Sequence, residues 1–478
     1  MVYFCHCERS ETISYFDFFG KGFMKRDLLV KNGVLVTNTG TFQSDILIKD
    51  GLVHQIGKAL DAPGLPSVDV SDCLVLPGIV DPHVQFELPA FTDDFETGTR
   101  AAACGGVTTI IDFADQPRGI DALQHLRERK SIASSKVNVD YSLHMSITDL
   151  SGNTLNHIQT IVKEEMVPSF KLYLAYSRRQ RMVNEGETFA IMREAARHGG
   201  IVGIHAECDA LVEYLTRDLI ESGRTDVRYF SQSRPDVAEG ISVASSLGIA
   251  HATSCDLYVH HVSTALAIDS IAFSRRNGTR VWAETCPQYL ILNDEAYNRN
   301  DGYLYVMNPP LRGKMNSERL WKAVQKGDID TIGTDHCSYR IEQKTNKASF
   351  DQIPPGLPGI ETLLPLMFTE GVAKGRITVS RLVELLSLNP ARIFGLFPQK
   401  GSLSIGSDGD LVVFNPRTEW TLRAADLHTH SDFSPFEGKK MMGKVEKTIL
   451  RGEVIFAGGE FCGTSNGGQF IPGRRPDE

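Results

Sequence analysis

Nowhere in the 478 residues does an apolar run approach the roughly 20 residues that cross a bilayer, so no membrane association is expected. There is no basic block and the net charge is -9, which sets nucleic acid aside as a partner. The opening stretch MVYFCHCERSETISYFDFFGKGF has neither the basic start nor the clean apolar core of a signal peptide. Cysteine is sparse: nine residues, scattered and odd in number. That argues against a disulfide framework and for reduced thiols in the cytoplasm. No repeat with a period of about 20–50 residues and no low-complexity segment is evident. What is present is the composition of an ordinary soluble globular protein, 41% hydrophobic and 23% charged. The length suits two or three domains, or one large barrel with an appendage.

Residues 1–23 read as a disordered extension, with Met24 a natural alternative start. Cys5-His6-Cys7 has no second ligand pair nearby, so it is not read as a metal tract. From Arg26 to Leu74 the chain reads as short strands, with hairpin turns expected at Asn32-Gly33 and Asp50-Gly51. Similar text returns late, in GDLVVFNP and KVEKTILRGEVIFAGGEF. Two β-rich ends around a different middle predict a small β-sandwich domain built from residues 24–75 and 401–460, followed by a tail, 461–478. The middle, 76–400, alternates. Strand-like runs end at His83, Phe113, His144, Lys171, His205, His261, Glu284 and Asp335, with helical segments such as TFAIMREAARHG and ALAIDSIAFSRRNG between most of them. Eight strands spaced by helices predict a (β/α)8 TIM-type barrel.

Chemistry in such a barrel sits at the C-terminal strand ends. The run Leu74–Val80 leads into Asp81-Pro82-His83-Val84-Gln85, and strand alternation puts His83 and Gln85 on one face. Taken singly, a histidine at a strand end is more often a hydrogen-bonded structural residue than a ligand, and Asp335 could merely cap the next helix. Lys171, between Phe170 and Leu172, could be a snorkelling lysine. Together, His83, Lys171, His205, His261 and Asp335 converge on one mouth, and imidazole with carboxylate suits a zinc-like cation. An ammonium would repel that cation. Lys171 fits only if CO2 converts its neutral amine to a carbamate, whose two oxygens can bridge two metals.

The motifs LPGIVDPHV, SFKLYLAY, GIHAE, VHHVS, ETCPQYL, NPPLR, TDHCSY, GLPGIETLLPL and NPARIFGL occur in this order. In them the chain resembles the cyclic-amide hydrolases of the amidohydrolase superfamily, in the dihydropyrimidinase and hydantoinase branch, from Met24 to the C-terminus. The resemblance implies a metal-dependent hydrolase that opens a dihydropyrimidine, hydantoin or related imide ring. It implies a carboxylated, bridging Lys171, with His205 and His261 on the more exposed metal and His83 and Asp335 on the more buried one. A hydroxide between the metals would be the nucleophile. Asp335 would move its proton, and Tyr176 would stabilise the oxyanion. Main-chain groups around Asn308 and Pro355 would bind the ring amide edge.

Three positions depart from the family pattern. Gln85 stands where the family has a second histidine, serine is usual in place of Asn308, and asparagine in place of Pro355. Gln85 is at best a marginal ligand, so one tightly held zinc and a second, weaker one are expected per subunit. Non-catalytic relatives, the collapsin response mediator proteins, have lost several ligands including the lysine; this chain keeps five of six, which favours retained chemistry over a scaffold role. An allantoinase- or dihydroorotase-like activity is the other alternative. It is disfavoured by TDHCSY, by the late segment SDGDLVVFNPRTEW…HSDFSPFEG, which resembles hydantoinases more than dihydroorotases, and by the lack of an assured cation for a carboxylated substrate, Arg312 being the only arginine close to the site motifs. The resemblance further implies a homo-oligomer, a tetramer. The tail CGTSNGGQFIPGRRP looks too polar to pack alone, and in relatives such tails reach across subunits.

Overall fold

The structure, a computed structural model, describes residues 27–475. The expected N-terminal extension and the Cys5-His6-Cys7 tract lie outside the described residues. Five strands come first: β1 (Leu28–Thr37), β2 (Gly40–Lys49), β3 (Leu52–Gly57), β4 (Ser67–Asp69) and β5 (Leu74–Pro77). Eight follow: β6 (Ile79–Val84), β7 (Val107–Asp115), β8 (Asp140–Ser146), β9 (Ser169–Tyr173), β10 (Ile201–His205), β11 (Asp256–Val259), β12 (Val281–Thr285) and β13 (Thr331–Ile332). The last four are β14 (Leu411–Thr421), β15 (Lys440–Leu450), β16 (Glu453–Ala457) and β17 (Glu460–Phe461).

Strands β6 to β13 pair in sequence order, all parallel. The ring is drawn closed by a bridge between Val84 and His336, with the Gln85 N–H donating to the His336 carbonyl at 3.0 Å. The strands are buried along nearly their whole length, as a sheet covered on both faces requires. The two helices named from the sequence form as Glu185–Arg197 and Ala265–Arg276. Asn184 and Thr264 cap their N-termini through side-chain oxygens. Among the described residues no helix is long and apolar enough to cross a membrane.

The remaining nine strands make a second, mostly antiparallel sheet from both chain ends, joined where β14 pairs with β5. It folds around its own apolar cluster, with Val30, Ile46, Val75, Leu411 and Ile449 among its members.

Three expectations are corrected. Asn32-Gly33 is not a hairpin turn but a bulge inside β1, where the register against β2 slips. Asn32 is left-handed there, its N–H bonds Asp45 Oδ1 at 2.8 Å, and a Cβ on Gly33 would meet Val75 Cγ2 at 2.5 Å. Asp50-Gly51 is a turn, as expected. The single apolar run Leu74–Val80 is divided at Gly78 between β5 of one sheet and β6 of the other. A side chain at Gly78 would collide with Thr108 Oγ1 at 2.0 Å, so only glycine lets the chain cross there. The tail is not too polar to pack alone. Its residues Gln469 and Ile471 bond Tyr141 of β8, Gly473 bonds Met166, Arg474 bonds Gly395, and Arg475 pairs with Asp256. The tail satisfies its polar groups on its own barrel by backbone hydrogen bonds, which residue polarity does not reveal.

Candidate active site

His83, Gln85, Lys171, Tyr176, His205, His261, Asn308, Asp335 and Pro355 all line one cavity of about 300 Å³ at the C-terminal end of the barrel. His205 ends β10, and His83 is the last residue but one of β6. Lys171 sits in the middle of β9, which runs two residues beyond the end expected for it, to Tyr173. His261 and Asp335 stand past the ends of β11 and β13, in the left-handed region at φ 38° and 50°. Tyr176 is left-handed too, at φ 75°. Residues with side chains hold this conformation rarely, and surrounding bonds must over-determine it. For His261 that bond is its N–H to Glu284 Oε1 at 3.0 Å.

Two imidazoles are pinned from behind and aimed inward. His83 Nδ1 lies 2.7 Å from Glu284 Oε1, and its Nε2 lies 3.2 Å from Asp335 Oδ1. His205 Nε2 lies 2.8 Å from Glu207 Oε2, and its Nδ1 lies 3.0 Å from His261 Nε2. A carboxylate on one ring nitrogen, leaving the other free to ligate, is how proteins orient metal-binding histidines. With Zn–N bonds near 2.05 Å, two ligand atoms of a tetrahedral zinc stand about 3.3 Å apart. The inward pairs, at 3.0 and 3.2 Å, match that spacing.

The electrostatics fit a cation as well. Burial holds His205 and His261 below the usual imidazole range, hence neutral, with lone pairs available. Burial opposes a charge on His83 also, yet Glu284 and Asp335 raise it to about 9, so this spot demands positive charge. Lys171 is 1% exposed and makes no ion pair among the described residues; burial pushes it down to about 8. A neutral amine is the form that CO2 carboxylates. The donor set therefore suits a divalent metal, except at one position. Gln85 turns its amide nitrogen, not its oxygen, to Asp335 Oδ1 at 3.3 Å, and a nitrogen that is donating is not a ligand.

Several neighbours were not assigned a role from the sequence. Glu207 lies on the face of His205 two residues on; burial opposes its charge, but Arg234 and His205 hold it down to about 2. Glu284, a strand end without an assigned role, bonds His83, His261 and the Tyr258 hydroxyl. Their signal was the period-2 alternation already applied to His83 and Gln85. Arg179 and Arg181 also line the cavity, so the argument that the site lacks a cation for a carboxylated substrate falls. Arg312, by contrast, is a buried structural residue bonded to Ser263, Glu239 and the Arg234 carbonyl. Asn308 Oδ1 is enclosed with no hydrogen-bond partner, an acceptor free for a ligand N–H.

Other acidic and histidine clusters are accounted for differently. Asp140, Asp408 and Asp410 surround the Lys400 ammonium, and Asp140 also pairs with Arg451, so the protein's own cations occupy the place a metal would take. Beside Glu361 and His428, burial raises the Cys104 thiol far above its usual range, so it is no thiolate ligand.

A model of the amidohydrolase family matches residues 74–455. D-phenylhydantoinase of Escherichia coli (strain K12) is 40% identical over 454 residues, covering 93% of this chain and 97% of its own. D-hydantoinase of Geobacillus stearothermophilus is 37% identical over 452 residues, covering 93% and 96%. The crystal structure of dihydropyrimidinase from Brevibacillus agri NCHU1002 superposes with a TM-score of 0.92 at 34% identity, covering 94% of this chain and 100% of that one.

Proposed function

The chain belongs to the amidohydrolase family, and from that premise we propose that it hydrolyses a cyclic amide, opening a dihydropyrimidine, hydantoin or related imide ring with the help of bound zinc. The observation that carries this reading is the pair of inward contacts, His205–His261 and His83–Asp335, in one cavity with a buried, unpaired Lys171. The names of the relatives, hydantoinase and dihydropyrimidinase, support the substrate class.

In this reading carboxylated Lys171, together with His205, His261, His83 and Asp335, would hold the metal. Metal bound there supplies activated water at neutral pH and polarises the amide carbonyl. Asp335 takes the attacking water's proton and passes it to the ring nitrogen as the C–N bond breaks. Burial lifts the Tyr176 phenol above its usual range, so it stays protonated and donates its O–H to the tetrahedral oxyanion. Asn308 and Pro355 border the ring; Pro355 has no N–H and can only accept. All seven described cysteines are free, which supports the cytoplasm as the compartment. Exposed apolar side chains on two barrel helices support self-association, and the resemblance to the family makes the assembly a homotetramer.

Metal analysis of the purified protein, paired with turnover of dihydrouracil, hydantoin and allantoin, tests this. The metal-loaded protein should open the first two and spare allantoin, and chelation should abolish turnover. Lys171→Ala should lose metal and activity, with partial rescue by short carboxylates. Full activity in unrescued Lys171→Ala, or inertness of the metal-loaded wild type, defeats the reading.

A further inference from the structure

Apart from Lys171, one cation in the cavity wall has no ion-pair partner among the described residues. Arg181 is engaged: its guanidinium pairs with Asp115 Oδ2 at 2.9 Å, and the other oxygen of that carboxylate accepts the Tyr173 hydroxyl at 3.1 Å. Arg179, at the exposed lip, makes no ion pair and no side-chain hydrogen bond among the described residues. Its guanidinium stands 5.5 Å from the centre of the Tyr176 ring.

The segment that carries Arg179 is held in place. Ser177–Arg179 is a single 3-10 turn between two left-handed residues, Tyr176 and Gln180. The N–H groups of Arg179 and Arg181 both bond the Tyr176 carbonyl, at 3.0 and 3.3 Å. Asp209 Oδ1 accepts the Ser177 N–H at 3.1 Å, and Met182 bridges back to Tyr173. The turn thus mounts a bare guanidinium directly beside the tyrosine assigned to the oxyanion. Among the described residues Asp335 is the only carboxylate in the cavity wall, and the reading above commits it to metal and proton transfer. Leu88 to Phe91 of the same wall carry no acid, and of the acids in the adjoining cavity that Arg179 also borders, Glu87 pairs with Lys136 and Asp115 with Arg181. A neutral carbonyl on a ring substituent gains at most a single uncharged-acceptor hydrogen bond from Arg179. A carboxylate on the substituent meets a fork of donors matched to its geometry.

We propose that the substrates of this enzyme are cyclic amides bearing a carboxylate on the ring or on a short ring substituent, and that Arg179 pairs with that carboxylate. The proposal rests on the ring-opening reading above and names its substrate class. Hydantoin-5-acetic acid and its neutral isostere hydantoin-5-acetamide, given to the zinc-loaded enzyme, provide the test. Wild type should favour the acid by about two- to fivefold in kcat/KM, the weight of an exposed ion pair. That ratio should fall toward one in Arg179→Gln, stay partly raised in Arg179→Lys, and decline as salt is added. If wild type opens both compounds equally, or if Arg179→Gln leaves the ratio unchanged, Arg179 does not select for charge, while the ring-opening reading stands. If neither compound, nor hydantoin or dihydrouracil, is opened, the ring-opening reading fails and this proposal fails with it.

Discussion

Gln85 donates to the same Asp335 oxygen that stands 3.2 Å from His83 Nε2. For Gln85 to ligate, its amide would have to turn over and give up that bond. On the proposed reading the metal position nearer His83 would therefore be short of one good donor, while Lys171, His205 and His261 would give the other three donors and an open place. Losing even a supporting partner of a ligand costs about 10–100-fold in affinity, so losing the ligand should cost at least that. Wild type should carry close to one tightly held metal per chain by elemental analysis, and Gln85→His should raise this toward two and speed turnover. Two tight metals in wild type, unchanged in Gln85→His, would make Gln85 a competent ligand. Alternation along a strand was enough to place His83 beside Gln85 in the sequence. It has nothing to say about loops, where φ changes sign from one residue to the next. Arg179 and Arg181 escaped notice for that reason, because their reach into the cavity depends on the left-handed Tyr176 and Gln180 around them.

Among the elements, the eight-strand ring was legible because most of the buried apolar runs are followed by a helical segment, several of them capped by an Asp, Asn or Thr side chain. The division of one apolar run between β5 and β6 was not, since both halves are equally apolar and only the crowding around Gly78 marks the crossing. The short helix Ile341–Lys344 holds a second feature that the sequence hides. Lys344 is fully buried, with its Nζ donating to the Val306 carbonyl at 2.9 Å and the Tyr339 and Phe433 rings near it. It makes no ion pair among the described residues, and burial pushes it down to about 7. In the unfolded chain a lysine keeps its proton to about pH 10.4. Between these values the unfolded state binds more protons, so this group makes stability rise with pH; below pH 7 the folded state carries the full cost of a buried ammonium. Lys344→Met should accordingly stabilise the protein at pH 6, by on the order of 2 kcal/mol after the lost hydrogen bond is counted. Its advantage should shrink steadily from pH 7 to pH 10. Thermal unfolding across that range, with parallel curves for both proteins, would contradict the assignment.

The molecule as a whole presents an apolar face with no cover in the single chain. Val237 and Ile241 project from the helix Asp236–Thr253, and Leu266 and Phe273 from the neighbouring helix Ala265–Arg276. The two helices touch where Gly240 meets Leu266, and Phe273 is 62% exposed. Single exposed apolar residues need no explanation, but a contiguous group on adjacent helices marks a contact surface. The tail, bonded along its own barrel, leaves these helices as the surface on which a second copy can pack. Burying one large apolar side chain contributes about 1.5–3 kcal/mol, so a few such residues from each copy can hold a stable interface. Light scattering should find a tetramer near 210 kDa from the 52.8 kDa chain. Phe273→Glu puts a charge on that contact and should shift the population to smaller species without altering the barrel, as judged by metal content per chain. A wild-type mass near that of one chain would remove the tetramer. A Phe273→Glu protein that stays fully tetrameric would keep the tetramer and move its interface elsewhere.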